Sequence, residues 1–105
     1  MIKSNDGLVH IGSRTKVPIY EILYLKAMEN YSAVYLKDGQ QIIVATTLKI
    51  LEERLPDESF MRIRRGVLVN CNFIERIENY TVVLRNELSF QIPRRKRDKF
   101  NLFIT

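Results

Sequence analysis

The sequence predicts a mainly β domain, built of small antiparallel sheets with one or two short helices. Three observations predict it. Short runs rich in Val, Ile, Leu and Tyr recur along the chain, turn-forming residues separate many of them, and one stretch alone has clear helical spacing.

Residues 1–16 contain Gly7 and Gly12 but little periodicity, and they read as an N-terminal arm, an edge strand or a linker, leaving 17–105 as the domain. Residues 19–28 and 31–37 read as strands, the second with Val34 and Leu36 on one face. Asp38-Gly39 supplies a tight hairpin turn into a strand over 41–45. Thr46 and Thr47 are suitable N-caps for a short amphipathic helix in which Leu48, Leu51 and Leu55 share a face and which Pro56 ends. Further strands are expected over 60–64, 73–79, 81–85 and 88–92, with Asn86-Glu87 at the tip between the last two. After Pro93, the run Arg94-Arg95-Lys96-Arg97 leads into residues 98–104, where Phe100, Phe103 and Ile104 have the spacing of a short terminal helix. No internal repeat is evident.

Composition narrows the function. A chain of 105 residues fits one domain, and 46% hydrophobic with 28% charged residues is ordinary for a globular protein with a modest core. The longest apolar runs, Ile22-Leu23-Tyr24-Leu25 and Val67-Leu68-Val69, fall far short of the roughly 18 residues of a membrane span. The first residues have no apolar stretch of signal-peptide length, so the expected compartment is the cytoplasm. Cys71 is alone and cannot form an internal disulfide. The net charge of +5 is unevenly placed: residues 1–59 hold 7 Lys/Arg against 8 Asp/Glu, and residues 60–105 hold 10 against 4. A basic half beside a neutral one points to a polyanion-binding face, although a solvated basic surface gives the same count.

Several chemistries lack support. The spacing Gly7 to Gly12 suggests a phosphate-binding loop, but Ser13-Arg14 stands where Lys-Ser or Lys-Thr is required. His10 and Cys71, far apart, do not make a metal site, and Cys71 among apolar neighbours reads as a small buried residue. The acidic pairs Glu52-Glu53 and Asp57-Glu58 read as the solvated side and end of the helix. The expectation is a protein that is not an enzyme and carries no cofactor and no metal.

The informative segment is Phe60-Met61-Arg62-Ile63-Arg64-Arg65-Gly66-Val67-Leu68-Val69-Asn70, which sets three arginines against an apolar stretch. The guanidinium fork can grip phosphate oxygens or the two acceptors of a guanine edge. Asn70, after an apolar run, reads first as a cap on backbone groups.

Taken together, Ile22-Leu23-Tyr24-Leu25, Glu29-Asn30-Tyr31, Val34-Tyr35-Leu36, Asp38-Gly39, Thr47-Leu48, Leu51-Glu52-Glu53-Arg54-Leu55-Pro56, Phe60 to Arg65, Val69-Asn70, Ile74, Ile77 and Arg94-Arg95 make the chain resemble LytTR domains over about residues 17–100. The resemblance implies three small antiparallel sheets with minor helices. It also implies the sequence-specific DNA-binding output module of a bacterial response regulator, binding adjacent direct repeats at promoters through loops in the major groove. Double-stranded DNA is then the partner. Base contacts fall on Tyr31, Arg65 and Arg94, and phosphate contacts on Arg62, Arg64, Arg95, Lys96 and Arg97. Two departures, Arg64-Arg65-Gly66 where the family often has His-Arg-Ser, and Pro93 where a small hydroxyl residue is common, prevent transfer of a base preference. The family usually carries an upstream phosphoacceptor domain, for which this length leaves no room, so the chain reads as an excised C-terminal domain or a stand-alone regulator. With no heptad or spare apolar helix in sight, it is expected to be monomeric when free and to pair on repeated sites. The alternative is a basic β module that holds RNA or a protein partner.

Overall fold

The computed structural model describes residues 7–97, so the helix expected over 98–104 lies outside the described residues. In chain order the strands are β1 (Leu8–Gly12), β2 (Thr15–Pro18), β3 (Ile22–Met28), β4 (Tyr31–Leu36), β5 (Gln41–Val44), β6 (Phe60–Arg64), β7 (Val67–Asn70), β8 (Ile74–Glu78), β9 (Thr81–Leu84) and β10 (Ser89–Gln91). One helix, α1 (Leu48–Arg54), comes after β5, and 3-10 turns occupy Ile19–Glu21, Cys71–Phe73 and Arg94–Lys96. The strands pair antiparallel in three sheets, β1-β2, β5-β4-β3-β7-β6 and β10-β9-β8. The expected mainly β class of small sheets is what the chain adopts.

The five-stranded sheet is covered on both faces. On one, Leu25, Val34, Leu36, Val44 and Leu68 pack with Val9, Ile11 and Val17 of the β1-β2 hairpin and with Leu48, Leu51 and Leu55 of the helical segment. On the other, Leu23, Tyr24, Ile63, Val67 and Val69 meet Val82, Leu84 and Ile92 of the β8-β10 sheet region. Tyr24 stacks on Tyr35 across this second face, with ring centroids 4.3 Å apart and planes 9° from parallel. The helix starts where expected: the Thr47 side chain accepts a hydrogen bond from the Ile50 N–H.

Three differences from the sequence reading have physical causes. The strand expected from residue 19 begins at Ile22, because Ile19–Glu21 closes a 3-10 turn behind Pro18. The segment expected to be an arm, edge strand or linker forms the β1-β2 hairpin over residues 8–18, with Ser13 and Arg14 both left-handed at its tip and Val9 and Ile11 buried. Two consecutive left-handed residues are what a two-residue hairpin loop requires, and no Gly marks them. Strand β7 is absent from the strands that the sequence predicts. All four of its residues are buried, so it lacks the alternation that exposes a half-buried strand.

The structure also contains a repeat that the sequence hides. The β1-β2 register, Leu8↔Pro18, Val9↔Val17, His10↔Lys16 and Gly12↔Thr15, recurs in β6-β7 as Phe60↔Asn70, Met61↔Val69, Arg62↔Leu68 and Arg64↔Val67, with a bulge at the same place. The Ile19 N–H bond to Gly7 O matches that of Cys71 N–H to Ser59 O, both 2.8 Å. A 3-10 turn then enters a strand in each half, and Ile22↔Leu36, Tyr24↔Tyr35 and Leu25↔Val34 are mirrored by Ile74↔Leu84, Arg76↔Val83 and Ile77↔Val82. Even the hairpin tips coincide: Asp38 Oδ1 accepts from Gln40 N–H at 2.9 Å, and Asn86 Oδ1 from Leu88 N–H at 3.1 Å. Equivalent positions keep the pairing register but seldom residue identity, and often differ in burial, which is why no repeat shows in the letters.

Asn70 joins the halves. Its Nδ2 donates to Ile22 O at 2.9 Å, and its Oδ1 accepts from Asn72 N–H at 3.0 Å and caps the 3-10 turn. Cys71 beside it is partly rather than fully buried, and burial pushes its thiol up to about 11. Two outcomes are expected. Asn70→Ala removes both bonds, one buried and one part-buried, and should lower the unfolding free energy by about 1–3 kcal/mol in urea titrations. Because the thiolate is the nucleophile and its folded pKa lies above the ordinary thiol value, alkylation of Cys71 at pH 8 should run more than about tenfold slower in the native than in the unfolded protein, with the native rate climbing toward pH 11.

Candidate nucleic-acid interface

Backbone pairing brings several turns to one end of the five-stranded sheet. β3 runs antiparallel to β7 with Lys26 opposite Val67, so the Glu29-Asn30 turn after β3 and the Arg65-Gly66 turn before β7 leave the sheet side by side. The Ala27 N–H donates to Gly66 O at 2.8 Å and binds the second turn to the end of β3. β5 finishes at this end too, because Val44 lies opposite Ser32, whose buried hydroxyl donates to Thr46 O at 2.6 Å. Gly12 packs against Thr46 and Val44: a Cβ there would stand 2.5 Å from Thr46 Oγ1. The Ser13-Arg14 tip therefore reaches the same end.

Within this frame the arginines differ. Arg64 and Arg65 are exposed at the β6-β7 turn, and Arg94 and Arg95 are exposed on the 3-10 turn after Pro93; none of the four side chains bonds to another described residue. A bulge between Arg62 and Arg64 shifts the register just before the turn and re-aims the backbone that carries Arg64 and Arg65. Arg62 is engaged inside the protein: Nε and Nη2 both donate to Arg65 O, at 2.9 and 2.7 Å, and Nη1 pairs with Glu52 Oε1 at 2.6 Å. Lys96 Nζ donates to Arg62 O at 3.2 Å, which ties the Arg94–Lys96 turn to β6. Arg97 lies 4.5 Å over the Tyr80 ring, and its Nε donates to Ile92 O at 3.4 Å. Lys96 and Arg97 are half-buried, with their stems on the protein.

Tyr31 opens β4 and is 53% exposed. With Met28, Glu29 and Ile43 it lines a shallow, mostly apolar pocket beside the Glu29-Asn30 turn. The structure thus collects Tyr31 and Arg65 at the sheet end, and the Lys96 contact draws Arg94 and Arg95 alongside β6. Sequence reasoning missed Glu52, which read as a solvated helix acid, and Arg14, hidden in a turn without a Gly signal. Its dipeptide Ser13-Arg14, between the alternating residues of β1 and β2, was the trace available.

No group of acidic, His or Cys residues among the described residues could hold a metal ion, and no helix among them is long and apolar enough to cross a membrane. α1 is short and commits Leu48 and Leu51 to the core, and it exposes one cationic residue, Lys49, whereas Arg64, Arg65, Arg94 and Arg95 stand at or beside turns.

Comparison with known proteins agrees with this arrangement. The family model described as the LytTr DNA-binding domain matches residues 12–105. The sensory transduction protein LytT of Bacillus cereus is 34% identical over 85 residues, covering 73% of this chain and 34% of that protein. The protein of the same name from Bacillus anthracis is 36% identical over 70 residues, covering 59% and 28%. The chain thus spans about a third of the length of these relatives. Among solved structures, the LytTr DNA-binding domain of a protein described as a methyl-accepting/DNA response regulator from Bacillus cereus superposes with a TM-score of 0.75 at 21% identity, over 92% of this chain and 94% of that one. The match of the family model across nearly the whole chain makes this protein a member of the LytTR family of DNA-binding domains.

Proposed function

We propose that the domain recognises promoter DNA sequence-specifically as the output module of a cytoplasmic, response-regulator-type transcription factor, and that it performs no catalysis. The observation that carries this reading is the two exposed arginine pairs, Arg64-Arg65 and Arg94-Arg95, whose side chains bond no other described residue and whose backbone is tied to the sheet through Gly66 O and Lys96 Nζ. Loops of this kind enter the major groove without a recognition helix. Arg65 and Arg94 read base edges, for which the guanidinium fork matches the two acceptors of guanine. Tyr31, with Met28 and Ile43 beside it, offers apolar surface to a thymine methyl group or a sugar. Arg64, Arg95, Lys96 and Arg97 meet phosphates and set the register. The free domain is monomeric, and two copies sit on adjacent direct repeats. In the full-length regulator an upstream phosphoacceptor domain controls this occupancy.

The test is a titration of the selected DNA site. If these four phosphate contacts are neutralised, the slope of log affinity against log salt should be about −3.5, and specific binding should survive an excess of random DNA by a factor of about 10³. A slope near zero, or equal competition by RNA and random DNA, rejects the proposal. The arginines separate by role. Arg65→Ala and Arg94→Ala should each cost about 1–3 kcal/mol on the preferred site and relax the preference at one base pair, whereas Arg95→Ala should weaken preferred and random DNA alike and reduce the slope by about one. A matrix of these variants against all single-base changes of the site decides it.

A further inference from the structure

We propose that Arg62 touches no phosphate, and that together with Glu52 it forms an internal clamp which holds the Arg64-Arg65-Gly66 turn in its DNA-reading shape. The inference rests on the reading of Arg65 as a base contact.

The geometry is specific. Two nitrogens of the Arg62 guanidinium converge on a single carbonyl, Arg65 O, and the third bonds the Glu52 carboxylate on α1. Each guanidinium nitrogen thus makes a bond within the protein, using three of the five N–H groups. The next carbonyl, Gly66 O, is held from the other side by the Ala27 N–H. The carbonyls of Arg65 and Gly66 are thus both held, and the Arg65 side chain is left exposed. Arg62 also accepts Lys96 Nζ at its own carbonyl, so one residue links α1, the Arg65 turn and the segment that carries Arg94. The Arg62 side chain is 24% exposed and that of Glu52 41%, so the ion pair is partly solvated and contributes little to global stability. Its consequence is local. A base-reading side chain must be held within a fraction of an ångström of its productive geometry, and the supporting shell supplies that precision.

An acid at the edge of a DNA-binding face makes the two roles separable. On charge alone, removing Glu52 strengthens binding to every DNA sequence. As a clamp partner, its loss weakens the preferred site selectively.

The experiment uses Arg62→Lys and Glu52→Ala in the whole chain, with two readouts. The first is the backbone order parameter of the Arg65 and Gly66 amides in the free protein. The second is affinity for the selected site and for random DNA across a salt series. Lysine keeps the charge but not the fork. Arg62→Lys should therefore leave the salt slope and random-DNA affinity near those of the parent, lower the preference for the selected site roughly tenfold, and drop the Arg65 order parameter toward about 0.6. Glu52→Ala should bind random DNA slightly tighter and the selected site more weakly, and the double variant should lose no more preference than the larger single loss. Unchanged order at Arg65 in Arg62→Lys overturns the clamp. So does a Glu52→Ala variant that binds both DNAs more tightly by the same factor, or an Arg62→Ala variant whose chief effect is a salt slope smaller by about one. If the parent chain prefers no sequence, the base-reading role of Arg65 fails, and the order parameters still decide whether the clamp exists.

Discussion

The pairing of β3 with β7 is the constraint on which the rest of the structure depends. β7 belongs to the second half of the chain and β3 to the first, and their ladder, Tyr24↔Val69, Leu25↔Leu68 and Lys26↔Val67, is where the two halves become one sheet. Leu25, Leu68 and Val69 are fully buried there, and removing each such side chain from water contributes about 1.5–3 kcal/mol. Asn70 reinforces it with a buried bond to Ile22 O. Without the seam, each half would be one two-stranded hairpin beside three strands with an open apolar face, and a lone hairpin is marginal by itself.

The same seam makes the site. Because β3 and β7 are antiparallel neighbours, the end of one and the start of the other coincide, and the turns that carry Tyr31 and Arg65 are placed together by the ladder rather than by any contact between them. The Ala27 bond to Gly66 O extends the ladder into the turn. Functional residues are thus on loops, as is usual, but on loops whose backbone is fixed by a sheet packed on both faces.

The duplication shows how far side chains can diverge on one backbone. Both halves carry the same bulged hairpin, yet one ends in Ser13-Arg14 and the other in Arg65-Gly66. In the second half the bulge precedes a cationic turn clamped by Arg62; the equivalent residue of the first half is His10, whose carbonyl accepts Arg54 Nη1 from α1 at 3.0 Å. In each half a basic side chain from a helical segment therefore tethers the same carbonyl of the hairpin, Arg54 in the first and Lys96 in the second. One strand register has been kept twice while the residues on it and the loop conformation changed.

Alternation, the Asp-Gly turn and the leucine spacing of α1 were local signals, and they were enough to determine from the sequence alone the mainly β class, most strand positions and the helix with its Thr47 cap. The ordered motifs from Ile22 to Arg95 were enough to indicate the family, whereas the charge asymmetry between the halves fitted a polyanion-binding face and a solvated basic surface alike. What only the tertiary structure decided is non-local. β7 is buried on both faces and so has no periodicity to read. The β1-β2 tip uses Ser13 and Arg14 in left-handed conformations where Gly or Asn would have signalled a turn. The division of labour among neighbouring arginines depends on what lies across space: Arg62 and Arg64 are two residues apart and look alike in the sequence, but alternation along β6 sends Arg62 toward Glu52 on α1, whereas Arg64, beyond the bulge, is left to solvent.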